Sequence, residues 1–91
     1  MRASRGLYIG RFQPFHYGHL HALEWILDRE DEVIIGIGSA QFSHTLRNPF
    51  TLSERIEMVW RVVKRRRWTD RVLIVGIPDT DEQHNMWVTL V

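Results

Sequence analysis

The chain has no cysteine, which excludes disulfides, thiolate metal sites and cysteine nucleophiles together. It has no apolar run near the roughly 18 residues needed to span a bilayer. The opening Met1-Arg2-Ala3-Ser4-Arg5 leads into a short apolar segment rather than the longer one of a secretory signal. A strong charge of either sign is also missing. The formal net charge is +1, so neither nucleic acid nor a membrane surface is expected as a partner. No linker, internal repeat or low-complexity stretch interrupts the sequence. The expectation left by these absences is a cytoplasmic protein, with which a lack of disulfides is compatible. What remains is ordinary for a globular domain: 44% hydrophobic and 25% charged residues. Ninety-one residues can bury a real but modest core.

Hydrophobic periodicity divides the chain. Leu7-Tyr8-Ile9, bounded by Gly6 and Gly10, reads as a buried strand. From Tyr17 to Arg29, Leu20, Leu23, Ile26 and Leu27 recur at spacings of three and four, which predicts an amphipathic helix. Val33-Ile34-Ile35-Gly36-Ile37 is continuously apolar, as suits a parallel strand covered on both faces. Gly38 to Phe50 is polar and irregular. Thr51 and Glu54 then form a T-x-x-E capping box. The helix it opens shows Leu52, Ile56, Val59 and Val63 on one face and ends in the basic run Lys64 to Arg67, at the negative end of its dipole. A third strand, Val72 to Val75, precedes a third loop, and Asn85 to Val91 begins another apolar segment. The alternation predicts a Rossmann-like α/β fold, a parallel sheet with flanking helices in β-α-β-α-β-α order. Right-handed crossovers would bring residues near 10–19, 38–50 and 77–87 to one crevice at the carboxyl ends of the strands. The chain stops inside the apolar segment at Thr89-Leu90-Val91, an uncovered hydrophobic face. Residues 1–91 are therefore expected to be the N-terminal half of a larger domain.

Gly10-Arg11-Phe12-Gln13-Pro14-Phe15-His16-Tyr17-Gly18-His19 occupies the first strand-to-helix corner. Helix N-termini at such corners offer unpaired N–H groups and a positive dipole end to phosphate. A lone histidine there usually caps the helix or lies exposed. Two, three residues apart, share one side of the first turn. A third ligand and the glutamate of a zinc motif are missing, so donation to phosphate oxygens is the stronger reading. Gly18 removes a side chain where backbone would approach a ligand, and Arg11 can fork onto phosphate oxygens. Asp79, Asp81 and Glu82 read as solvated loop carboxylates, so no protein-held metal is expected. Lys64 to Arg67 with Trp68 reads as a helix-terminal charge cluster.

This decapeptide resembles the H-x-G-H signature of the nucleotidyltransferase superfamily, whose two histidines contact ATP phosphates and stabilise the transition state at the α-phosphorus. Its extended G-R-F-Q-P-F-H-x-G-H form resembles the nicotinamide-nucleotide (NMN) adenylyltransferases, and the segment from Gly36 to Thr51 resembles the matching loop of their archaeal type. The resemblance implies catalytic roles for Arg11, His16 and His19. It implies ATP and phosphate contacts from Gly10, Arg11, Phe12, His16, Gly18, His19 and Ser39. Arg47, Asn85 and Trp87 are implied to meet the nicotinamide nucleotide, with Trp87 stacking on the pyridinium. The spacing from Asn85 to Trp87 is one residue shorter than the family's N-x-x-W-V pattern.

The implied reaction is adenylyl transfer from ATP to nicotinamide mononucleotide, giving NAD and pyrophosphate. Mg²⁺ would be held mainly through the ATP phosphates, and relatives commonly form homo-oligomers. Alternatives are a related nucleotidyltransferase acting on a phosphopantetheine, a flavin mononucleotide or a CTP-dependent alcohol, or a nucleotide-binding fragment without turnover. The last arises because the family's C-terminal serine/threonine-rich signature, with an arginine that also grips ATP, has no counterpart in these 91 residues.

Overall fold

The computed structural model describes residues 3–40, 43–44 and 49–78. Strand β1 spans Arg5–Gly10, helix α1 Tyr17–Leu27, strand β2 Glu32–Ile37, helix α2 Leu52–Arg65 and strand β3 Val72–Gly76. The three strands and two helices match the expected alternation. The expected apolar segment from Asn85 to Val91 lies outside the described residues.

The strands form a parallel sheet in the order β1-β2-β3. Ile35 pairs with Tyr8 on one side and with Ile74 on the other. Alternate residues of β2, Val33, Ile35 and Ile37, join Leu23 and Leu27 of α1 and Val59 and Val63 of α2 in one buried cluster. Both helices therefore cover the same face. A monotonic strand order produces this, because successive crossovers of one hand return to the same side of the sheet. The opposite face carries Leu7, Ile9, Leu73 and Val75, all exposed. Continuous apolar runs predicted cover on two faces; among the described residues only one face is covered.

Side chains close both helix ends. Thr51 Oγ1 accepts from Glu54 N–H at 3.1 Å, and Glu54 Oε1 accepts from Thr51 N–H at 2.8 Å, so the predicted capping box forms. The backbone and side-chain hydrogen bonds from Thr51 hold the Glu54 carboxyl below its ordinary pKa. At the far end of α1, Arg71 donates to the carbonyls of Leu27, Glu30 and Asp31 at 2.6, 3.0 and 2.9 Å. The Leu27 oxygen, in the last turn of α1, would otherwise lack a helical partner. Arg71 thus ties the entry of β3 to the exit of α1.

Ile35→Ala should cost about 2–5 kcal/mol in urea unfolding, because it empties a fully buried position in the central strand. Arg61→Ala removes only an exposed i,i+4 pair with Glu57 and should change stability by about 0.5 kcal/mol or less.

Candidate active site

The carboxyl end of β1 turns sharply. Phe12 adopts φ 52°, a left-handed backbone that side chains disfavour, and its ring enters the core with 1% exposure. A Cβ at Gly10 would stand 3.0 Å from that ring, so Gly10 makes room for Phe12. The Phe12 ring meets the edge of the His19 ring at 4.8 Å, while Phe15 stacks on His19 at 5.5 Å. Phe12, expected at the phosphates, therefore supports His19 from below. Its side chain is committed to the core.

His16 and His19 open α1 as a reciprocal cap. His16 Nδ1 accepts from Gly18 N–H at 3.1 Å, and His19 Nδ1 accepts from His16 N–H at 3.1 Å. A backbone N–H can only donate, so both Nδ1 atoms must present a lone pair. The proton of each neutral ring then sits on Nε2. The rings stack with centroids 3.8 Å apart and planes 27° apart. Burial, and secondarily the neighbouring His16, lowers the pKa of His19 below its ordinary value. A Cβ at Gly18 would stand 3.0 Å from His16 Cε1, so this glycine admits the folded-back imidazole. Capping, one of the alternatives in the sequence, occupies Nδ1 of both rings and leaves Nε2 outside the cap.

Arg11 is exposed beside this pair in sequence. Ser39, at the carboxyl end of β2, is buried at 3% exposure with φ 52°. The sheet ladder continues past the strand ends: Gly38 N–H donates to Gly10 O at 2.7 Å, and Ile77 N–H to Ile37 O at 2.8 Å. The first two loops therefore start at one edge, as expected. Arg47, Asn85 and Trp87 lie outside the described residues.

Two residues at this edge escaped the sequence reading. The Gln13 amide pairs with the backbone of Phe50 through two hydrogen bonds of 3.2 and 2.9 Å, joining the first loop to the end of the second. Arg55 is fully buried. Its guanidinium donates to the carbonyls of Arg11 at 3.1 Å, Gly38 at 2.8 Å, Ser39 at 3.1 Å and Thr51 at 3.2 Å, and reaches Ala40 O at 3.5 Å. The available signal was its position: Arg55 falls on the apolar face with Leu52, Val59 and Val63, where a solvated arginine does not belong.

Among the described residues no three histidine, aspartate or glutamate side chains cluster as metal ligands, and no helix is long and apolar enough to cross a membrane. What the arrangement offers is a pair of neutral Nε2–H donors at a helix N-terminus, suited to an oxyanion.

Comparison with known proteins identifies the family. A family model described as cytidylyltransferase-like matches residues 7–90. The nicotinamide-nucleotide adenylyltransferase of Pyrococcus abyssi is 52% identical over 87 residues, covering 96% of this chain and 46% of that protein. The nicotinamide-nucleotide adenylyltransferase of Saccharolobus solfataricus is 49% identical over 89 residues, covering 97% and 51%. The chain thus spans about half the length of the curated relatives it matches. Among solved structures, a bifunctional NMN adenylyltransferase/ADP ribose pyrophosphatase from Francisella tularensis, complexed with AMP and a manganese ion, superposes with a TM-score of 0.85. It is 33% identical, and the match covers 98% of this chain and 26% of that one.

Protonation of His19 at Nδ1 would destroy the acceptor for His16 N–H. With its folded pKa lowered, His19 adds stability that is complete above the unfolded value of about 6.5 and is lost as pH falls from there through the folded value. Nitrogen-15 NMR should find both rings as Nε2–H tautomers at pH 8 and His19 titrating below 6.5; a His19 pKa above 6.5 would contradict the cap. His16→Ala should cost about 1 kcal/mol, and His16→Asn should restore most of it, because asparagine caps equally well.

Proposed function

The chain belongs to the cytidylyltransferase-like family, and from that footing we propose that the protein transfers the adenylyl group of ATP to nicotinamide mononucleotide, forming NAD and pyrophosphate. One observation carries the reading to chemistry: two stacked imidazoles spend Nδ1 on the helix cap and keep Nε2–H for a ligand. The names of relatives about 50% identical to this chain support the choice of acceptor.

In this reaction a 5′-phosphate oxygen of the mononucleotide attacks the α-phosphorus of ATP in line. A new P–O bond forms as the bond from the α-phosphorus to the bridging oxygen breaks, and pyrophosphate leaves with that electron pair. A phosphate is already an adequate nucleophile, so no covalent enzyme intermediate is required. The protein positions the reactants and stabilises charge. His16 and His19 donate from Nε2 to the oxygens of the triphosphate, Arg11 neutralises charge beside them, and the N-terminus of α1 adds its dipole. Gly10 and Gly18 shape the corner, Phe12 holds His19 from below, and Ser39 lines the second loop. In the same reading Arg47, Asn85 and Trp87 bind the nicotinamide nucleotide.

The described residues of the site offer imidazole and guanidinium but no carboxylate cluster, a poor donor set for a hard divalent cation. A divalent cation, Mg²⁺ in this reading, would be held mainly through the ATP phosphates and would supply charge neutralisation for the leaving pyrophosphate. In the same reading the enzyme works in the cytoplasm, where ATP is supplied, and the resemblance to its family supports a homo-oligomer.

His19→Gln keeps an N3 side chain able to cap but removes the imidazole. In the full natural chain it should lower kcat about 10²–10³-fold while the KM for ATP changes only a few-fold; unchanged kcat would overturn the transition-state role. Wild-type protein given ATP, or CTP for the CTP-dependent alcohol, and each acceptor in turn should form product with ATP and nicotinamide mononucleotide. Preference for a flavin mononucleotide, a phosphopantetheine or a CTP-dependent alcohol would reassign the acceptor, and no turnover at all would leave a nucleotide-binding protein.

A further inference from the structure

Arg55 stands on α2, yet it grips the carboxyl ends of two different strands. Its donors reach Arg11 O just beyond β1, and Gly38 O and Ser39 O just beyond β2. Two of those carbonyls directly precede the left-handed residues of the site, since Arg11 precedes Phe12 and Gly38 precedes Ser39. A left-handed φ at a residue with a side chain persists only where surrounding contacts over-determine it. The orientation of the peptide before each such residue is coupled to that φ. Binding its carbonyl therefore holds the turn.

Polarity is the second consequence. Carbonyl oxygens at the carboxyl ends of parallel strands carry partial negative charge and would repel a phosphate placed over them. A guanidinium keeps its charge on burial and presents a planar fork of donors. Burial lowers the Arg55 pKa from its ordinary value, but an arginine has range to spare and stays protonated.

We propose that Arg55 is a positioning residue of the nucleotide site: it draws the carbonyls of Arg11, Gly38 and Ser39 inward, fixes the turns at Phe12 and Ser39, and leaves the crevice receptive to phosphate. This rests on the adenylyl-transfer reading for the identity of the ligand but not for the clamp itself. Gln13 acts on the same edge, tying the loop end at Phe50 to the turn that Arg55 holds, while the Thr51–Glu54 box fixes the start of the helix that carries Arg55.

The test uses the full natural chain with Arg55→Lys, which keeps the charge but loses the fork, and Arg55→Met, which loses both. Amide hydrogen exchange reads the clamp without reference to function. In Arg55→Lys the amides of Gly38 and Ala40, which bond Gly10 O and Ile77 O, should lose protection at least tenfold while that of Ile35 in mid-sheet stays within threefold. Binding of ATP, and of inorganic pyrophosphate as the simpler probe, should weaken at least tenfold in the same variant, and further in Arg55→Met. Equal loss of protection across the whole sheet, failure of both variants to fold, or unchanged protection and binding would each overturn the proposal. Wild-type protein that binds neither ATP nor pyrophosphate would instead sink the adenylyl-transfer reading, and the exchange pattern would still decide the clamp.

Discussion

A buried guanidinium has to meet its donors with acceptors, because an uncompensated charge in a low-dielectric interior costs several kcal/mol. Arg55 meets this demand with backbone carbonyls from the ends of β1 and β2 and from its own helix. Much of the geometry around the site depends on that constraint. Hydrogen bonds from a charged donor are roughly twice as strong as neutral ones, enough to help hold Phe12 and Ser39 in left-handed conformations. Arg71 does comparable work at the opposite end of the sheet, closing the exit of α1. One arginine braces each end of the three-stranded sheet.

The histidine pair couples stability to chemistry in the same economical way. Each ring has two nitrogens, and the fold uses one for the cap and reserves the other. The cap orients the rings, sets the tautomer and places both Nε2–H groups at the positive end of a helix. Aromatic contacts from Phe12 and Phe15 restrain His19 further. Donors held this way need little reorganisation when charge develops on a reacting phosphate, the condition under which electrostatic stabilisation is most effective. Neutral rings also suit the stacking, since two imidazolium ions 3.8 Å apart would repel.

A helix with the wrong cap or a strand in the wrong register would misplace these atoms, yet the local sequence opposes both errors. The Thr51–Glu54 box starts α2 at the residue that puts Arg55 one turn inside the helix, on its inward face. The ladder from Gly10 through Gly38, and from Ile37 to Ile77, carries the sheet register past the strand ends into the loops. Local propensity, pattern and packing therefore point to one arrangement.

Element order, the capping box, the strand-to-helix corner and the pairing of His16 with His19 were all legible in the sequence, because periodicity, caps and short motifs are local properties of the chain. Cover on a single sheet face among the described residues was not legible. An apolar β-branched run reads the same whether its second face is packed or open, and only the strand order placed both helices on one side. The packing of Gly10 and Phe12 was not legible either, since the glycine yields to a ring two residues away that turns inward. Arg55 showed itself only as a charge in an apolar stripe. The carbonyls it binds beyond β1 and β2 lie 15 to 44 residues away along the chain, and no local pattern records carbonyls that tertiary packing brings together. The sequence by itself determined which side chains stand at the strand-to-helix corner and which helices present them; the tertiary structure decided which backbone oxygens Arg55 engages, because that depends on contacts between distant segments.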